Sequence, residues 1–155
     1  MVTNANVAEK NIFSSYFNCI KRYCQFRGRA NRYEYWSFVL VNFVIGVILG
    51  YVEGLKGEPP VLSGAYSIFI VLPSIAAQTR RLHDTNRSGW WLGALLLMIF
   101  IVGLIQGILE YNGTVVSPLV SQVVSIIALI WIVVLFIFYV KKGNPEENKY
   151  GQPQE

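Results

Sequence analysis

An all-α, four-helix transmembrane bundle preceded by an amphipathic interfacial helix is the fold this sequence predicts, and three observations predict it. The 155 residues are 54% hydrophobic and only 14% charged, against about 25% charged in ordinary soluble domains. Four stretches carry no charged side chain: Trp36–Val52, Val61–Gln78, Trp90–Leu109, and Leu119–Val140 within the longer uncharged run Tyr111–Val140. The basic residues gather between these stretches and not within them. Such hydrophobicity excludes an intrinsically disordered chain. So little charge would not cover the surface of a soluble enzyme of this size.

The elements follow in order. Met1–Asn11 is polar, with no apolar core after a basic start, so no cleavable signal peptide is expected and the first apolar span acts as its own membrane signal. Within Ile12–Cys24, the residues Phe13, Tyr16, Phe17, Ile20, Tyr23 and Cys24 recur at helical spacing, with Lys21 and Arg22 off the stripe. This predicts a helix lying in the membrane interface or packed on the mouth of the bundle, within an interfacial segment covering 12–34. Helices of roughly 20 residues cross a hydrocarbon core about 30 Å thick, so the spans are expected at about 36–52, 61–78, 90–109 and 119–140. The tail is 141–155, and the whole chain, 1–155, reads as a single integral membrane domain. Continuous apolar runs are not the alternating ten-residue segments of a β-barrel. The connections Glu53–Pro60, Thr79–Gly89 and Glu110–Pro118 are short, which makes sequential helices antiparallel neighbours.

Orientation follows from Lys and Arg. Lys10, Lys21, Arg22, Arg27, Arg29 and Arg32 precede the first span. Arg80, Arg81 and Arg87 lie in the middle loop, and Lys141, Lys142 and Lys149 in the tail. The first and third loops hold only Lys56. The positive-inside rule puts both termini and the middle loop in the cytoplasm. A net charge of +4 could suggest nucleic acid in a soluble chain, but basic groups clustered between apolar spans fit a membrane face, and no nucleic-acid partner is expected. Cys19 and Cys24 alone make neither a disulfide framework nor, with the single histidine His83 far off in sequence, a zinc site. No metal or cofactor is expected.

Three motifs stand out. The first is Gly28-Arg29-Ala30, Arg32 and Glu34-Tyr35-Trp36. The second is Arg80-Arg81-Leu82-His83-Asp84 with Ser88-Gly89-Trp90-Trp91. The third is Asn148-Lys149-Tyr150-Gly151 in the tail. In this order they resemble the bacterial inner-membrane family 805 of domains of unknown function, the YhaH/YhaI-like proteins, from about Phe13 to Pro153. The resemblance implies a small multi-span protein of the bacterial inner membrane and no established activity. The chain departs from the family pattern at Pro145-Glu146-Glu147, where the tail is usually richer in Gly and Pro.

Arginine makes bidentate contacts to phosphate and carboxylate. Arg29, Arg32, Arg80 and Arg81 are therefore candidate ligands for an anionic lipid headgroup or a small anion. Glu34, His83 and Asp84 would orient them, and Trp36, Trp90 and Trp91 would anchor the helices at the interface. Ser88 or Gly89 would cap the third span. The simpler reading is that these arginines set topology and nothing more. Two other functions stay open. One is a channel or transporter made by a homo-oligomer and lined by Asn42, Gln106 or Gln122. The other is an enzyme centred on His83 and Asp84, although neighbours on a helix point in different directions and no catalytic role is assigned. Pro73 should bend the second span and free the carbonyl of Phe69. The small residues Gly46, Gly50, Gly54, Gly103, Gly107, Ser117, Ser121, Ser125 and Ala128 allow close backbone approach, in the bundle core or in a homodimer seam, and the core is the expectation taken.

Overall fold

The computed structural model describes residues 11–57, 59–113 and 117–153. The polar start on which the signal-peptide expectation rests lies almost wholly outside them. The described residues form five helices: α1 (Ile12–Lys21), α2 (Arg32–Lys56), α3 (Val61–Asp84), α4 (Trp90–Tyr111) and α5 (Pro118–Val140). Among them, α2 to α5 are long and apolar enough to cross a membrane.

Each helix starts where local chemistry tells it to. The Asn11 side chain accepts from the Phe13 N–H at 3.3 Å and opens α1. The turn after α1 passes through Gly28 at φ +91°, a conformation that favours glycine. Asn31 then caps α2, its Oδ1 accepting from the Glu34 N–H at 2.8 Å. The start of α3 is capped from another helix: Glu53 Oε1, on α2, accepts from Leu62 N at 2.6 Å and Ser63 N at 3.2 Å. Pro118 occupies the first turn of α5, where a missing N–H costs nothing.

The helices run past the uncharged stretches. α2 begins at Arg32 and ends at Lys56, and α3 continues to Asp84. A charge ends an apolar run, but it does not end a helix when the charged group is paired or reaches water. α1 stops at Lys21, short of the Cys24 expected, with Arg22 as its C-cap. It docks on the bundle through Ser15, Tyr16, Cys19 and Ile20, while Phe13 and Phe17 stay exposed. The stripe read from the sequence is thus split between the bundle and the outside. Tyr16 stacks on Phe38 at 5.7 Å.

Side-chain packing concentrates at one end. Cys19, Tyr35, Phe38, Ala77, Leu82, Leu92, Leu95, Leu135 and Tyr139 form the core. All lie near the start of α2 or α4, the end of α3 or α5, or on α1. Toward the opposite end the helices expose apolar side chains such as Val47, Ile68, Phe100, Leu104, Val123 and Ile126, a surface suited to hydrocarbon. The expectation that small residues fill the core is corrected here. A Cβ built at Gly46, Gly50, Gly54, Gly103 or Gly107 would meet nothing within 4 Å, and Ser125 is exposed. The five glycines sit in the loosely packed halves, where none of the described residues comes near them, while Ser121 and Ala128 are half-buried.

Two polar features inside the spans behave as bridges. Asn42 donates to Phe38 O at 2.7 Å and accepts from the Tyr66 hydroxyl at 2.5 Å, and Tyr66 in turn meets the Tyr16 hydroxyl at 3.3 Å. This ties α1, α2 and α3 together. Pro73 leaves the Phe69 carbonyl without its helical donor, and the Tyr23 hydroxyl fills the gap at 2.7 Å. Gln106 and Gln122 are exposed on α4 and α5.

Candidate functional site

The three motifs separated in sequence converge at the basic end, around Asp84. This carboxylate ends α3 and is buried. Arg29 reaches its Oδ1 through Nε at 3.0 Å and Nη2 at 2.9 Å. Arg81, one helical turn earlier on α3, donates to Oδ2. Two buried cations on one carboxylate leave an excess positive charge, which a low-dielectric site tolerates only with further acceptors. The chain supplies them as carbonyls. Arg81 donates to Tyr139 O at 3.0 Å and to Lys141 O, thereby capping the negative end of α5. Arg29 donates to the tail carbonyls of Glu146 at 2.8 Å, Gly151 at 3.2 Å and Asn144. The Asp84 carbonyl accepts from Asn144 N at 2.8 Å, closing the tail onto α3.

Arg80 works on the other side of α3. It donates to Gln25 O at 2.7 Å and lies 3.7 Å from Glu34 Oε1. Glu34 also faces Arg22 at 3.9 Å and the Cys19 thiol at 3.5 Å. Burial, with Glu34 adding, pushes the Cys19 thiol up to about 12. The Arg80 Nε is buried with no hydrogen-bond partner among the described residues.

His83 lies flat on Tyr150, ring centroids 3.7 Å apart and planes within 5°. Its Nδ1 is 3.1 Å from Gly28 O, and Asn148 Nδ2 donates to His83 O at 3.0 Å. His83 thus joins the first motif to the third, while the Asp84 carboxylate turns to the arginines. Their side chains hold different partners and do not converge. Among the described residues, no group of three His, Cys, Asp or Glu is placed to hold a metal ion.

The four arginines expected to meet an anion fall into two sets. Arg29, Arg80 and Arg81 are 2%, 0% and 0% exposed, and an external anion would have to displace the chain's own acceptors from them. Arg32 opens α2 with an exposed side chain. Trp90 is 77% exposed at the start of α4. Trp91 is held by the Trp131 indole, which donates to Trp91 O at 2.9 Å. Trp36 packs edge-on against Tyr35 at 5.3 Å and Phe136 at 6.0 Å. Gly89 is the N-cap of α4 and offers no side chain, but Ser88 Oγ accepts from Trp90 N at 3.3 Å.

Over residues 23–152 the chain matches the family described as "Protein of unknown function (DUF805)". It belongs to that family. Inner membrane protein YhaH of Escherichia coli K12 is 34% identical over 141 residues, covering 88% of this chain and 92% of that protein. Inner membrane protein YhaI of the same organism is 34% identical over 137 residues, covering 88% and 91%. Uncharacterized protein YiiR is 29% identical over 128 residues. No solved structure matches the chain significantly. This DUF805 member is therefore a multi-span protein of the inner-membrane type, and its family carries no assigned activity.

Two participants escaped the sequence reading. A Cβ at Gly143 would overlap the Asp84 carboxylate, so the chain passes Asp84 only because residue 143 has no side chain. Tyr150 was one residue of a motif without a partner, and nothing local indicated that His83, 67 positions earlier, lay beneath it. The Asn31–Glu34 cap was recoverable, since an Asn three residues before a Glu at the head of an apolar run is a helix-start pattern.

Proposed function

We propose that this protein is a non-enzymatic membrane component whose basic end faces the cytoplasm and engages the anionic leaflet through its outward cations. One observation carries the reading: Lys21, Arg27, Arg32, Lys141, Lys142 and Lys149 are all exposed and all belong to the segments at the end that holds the Asp84 cluster. Each such cation near an anionic surface is worth about 1 kcal/mol. Arg32 meets the headgroups directly. Arg29, Arg80 and Arg81 act behind it, fastening the loop before α2 and the tail so that the surface cations keep their places. Asp84 and Glu34 neutralise and orient these three, and Trp90 anchors α4 at the interface.

Two measurements test this. Cys24 is exposed and belongs to the basic end, so an impermeant maleimide should label it in inverted membrane vesicles and not in intact spheroplasts; the reverse pattern overturns the orientation. Replacing Arg32, Lys141 and Lys142 together by Ala should lower retention in phosphatidylglycerol nanodiscs relative to phosphatidylcholine nanodiscs. An unchanged ratio overturns the lipid reading. Assembly with a second copy is a second reading, favoured by Gln106 and Gln122 standing outward from the spans. Native mass spectrometry reads it as a dimer that the Gln106→Leu, Gln122→Leu double variant loses.

A further inference from the structure

A cleft of about 500 Å³ opens between α3 and α4 at the basic end, within the roughly 300–1,000 Å³ typical of small-ligand sites. The part of it nearer the middle of the span is apolar, made by Ile75, Leu92 and Leu96. Phe26, Thr79, His83, Ser88 and the cation Arg27 line its other end, and no carboxylate lines it among the described residues. Leu96 is six residues into α4, so the cleft runs about 9 Å along that helix from the interface toward the hydrocarbon layer. Two close approaches shape the walls. A Cβ at Gly89 would meet Thr79 Cγ2 at 2.6 Å, and one at Gly93 would meet the Trp90 ring at 3.2 Å. The helices therefore touch at Gly89, and the bare Gly93 lets the Trp90 ring lie along α4 as a side wall.

Such a cleft suits an occupant with an anionic head and an apolar chain. We propose that it holds one anionic phospholipid, its phosphate at Arg27 and one acyl chain along Ile75, Leu92 and Leu96. The charge argument is complementarity: among the described residues the fixed charge lining the cleft is the positive Arg27, and the start of α4 adds the positive end of a helix dipole beside it. The Asp84 cluster cannot compete for this role, because its arginines are saturated by the chain's own oxygens. The proposal rests on the reading that this end meets anionic lipid, and it adds a discrete site to what that reading treats as a diffuse surface.

The test uses the full chain, purified in detergent, with a phosphatidylglycerol carrying a diazirine in one acyl chain, and glycerol phosphate as a chainless control. Photolysis should place adducts on the α3 and α4 peptides containing Ile75 and Leu96, above the level on the exposed face of α5, and native mass spectrometry should count one retained lipid. Leu96→Trp should fill the apolar part of the cleft and abolish both signals. Leu96 is exposed, so folding is checked by an unchanged thermal midpoint, and Leu96→Met serves as a variant that leaves the cleft open and keeps binding. Arg27→Ala should weaken retention about fivefold. Glycerol phosphate should not compete; competition would mean a free-anion site and overturn the proposal. Adducts spread evenly over α4 and α5, or retention unchanged in Leu96→Trp, would also overturn it. A lipid lost on removing Arg32, Lys141 and Lys142 but kept in Leu96→Trp supports the surface reading and rejects the cleft. The opposite pattern supports the cleft and rejects the surface reading.

Discussion

The Asp84 carboxylate accepts from Arg29 on one oxygen and from Arg81 on the other. Among the described residues it is the acid paired with both, so Asp84→Asn takes the counter-charge from two buried guanidiniums. Breaking a buried pair in this way costs about 3–5 kcal/mol, and thermal unfolding in detergent should show a clear loss of stability. Gly143→Ala pushes a methyl group into the same carboxylate and should destabilise by about 1–3 kcal/mol, the range for overpacking, without changing any charge. The cysteines make a contrast of their own. The Cys19 thiol, raised from 9.0 to about 12, stays protonated and poorly nucleophilic at pH 8, whereas Cys24 is exposed. Mass spectrometry after brief maleimide treatment should find Cys24 modified and Cys19 free. Because the shift is upward, the Cys19 contribution to stability is intact below pH 9 and is lost as the pH rises toward 12.

Among the elements, α3 is where sequence and structure meet most directly. A proline inside a long apolar run implied an unpaired Phe69 carbonyl, and the structure shows what uses it, the Tyr23 hydroxyl from the segment after α1. Tyr23→Phe should lose about 1 kcal/mol, the net worth of a hydrogen bond. In a Pro73→Ala background the restored N–H of residue 73 competes for the same carbonyl, so the loss should shrink. A double-mutant cycle on thermal midpoints reads that coupling directly. The amphipathic pattern of α1 identified a helix and left open whether it lies in the interface or on the bundle; Tyr16 and Ile20 of its stripe pack on the core while Phe13 and Phe17 stay exposed. Periodicity reports which residues share a side, and the docking partner decides which side is buried. Here Ser15 and Cys19 meet the bundle, because small side chains let α1 come close to α2.

Across the whole molecule, the tail holds the two ends of the chain together. Deleting 143–155 removes the carbonyls of Asn144, Glu146 and Gly151 from Arg29 and the ring of Tyr150 from His83. The four spans should still insert, since their hydropathy is untouched. The loop before α2 should loosen, and trypsin should cut after Arg29 in the shortened chain while sparing the complete one.

The number of spans, their antiparallel order and the gathering of cations at one end were legible from residue order alone, because water and hydrocarbon sort segments by composition and need no knowledge of neighbours. The converse holds for the collar. Arg29, Arg80 and Arg81 look like surface cations in a list of residues, and whether an arginine is a ligand or a strut depends on which oxygens face it. Those oxygens are backbone carbonyls of residues as distant as Gly151, which every sequence possesses and no motif announces. Folding brought them within reach, and that proximity alone turned three arginines inward and left Arg27 and Arg32 to meet what lies outside.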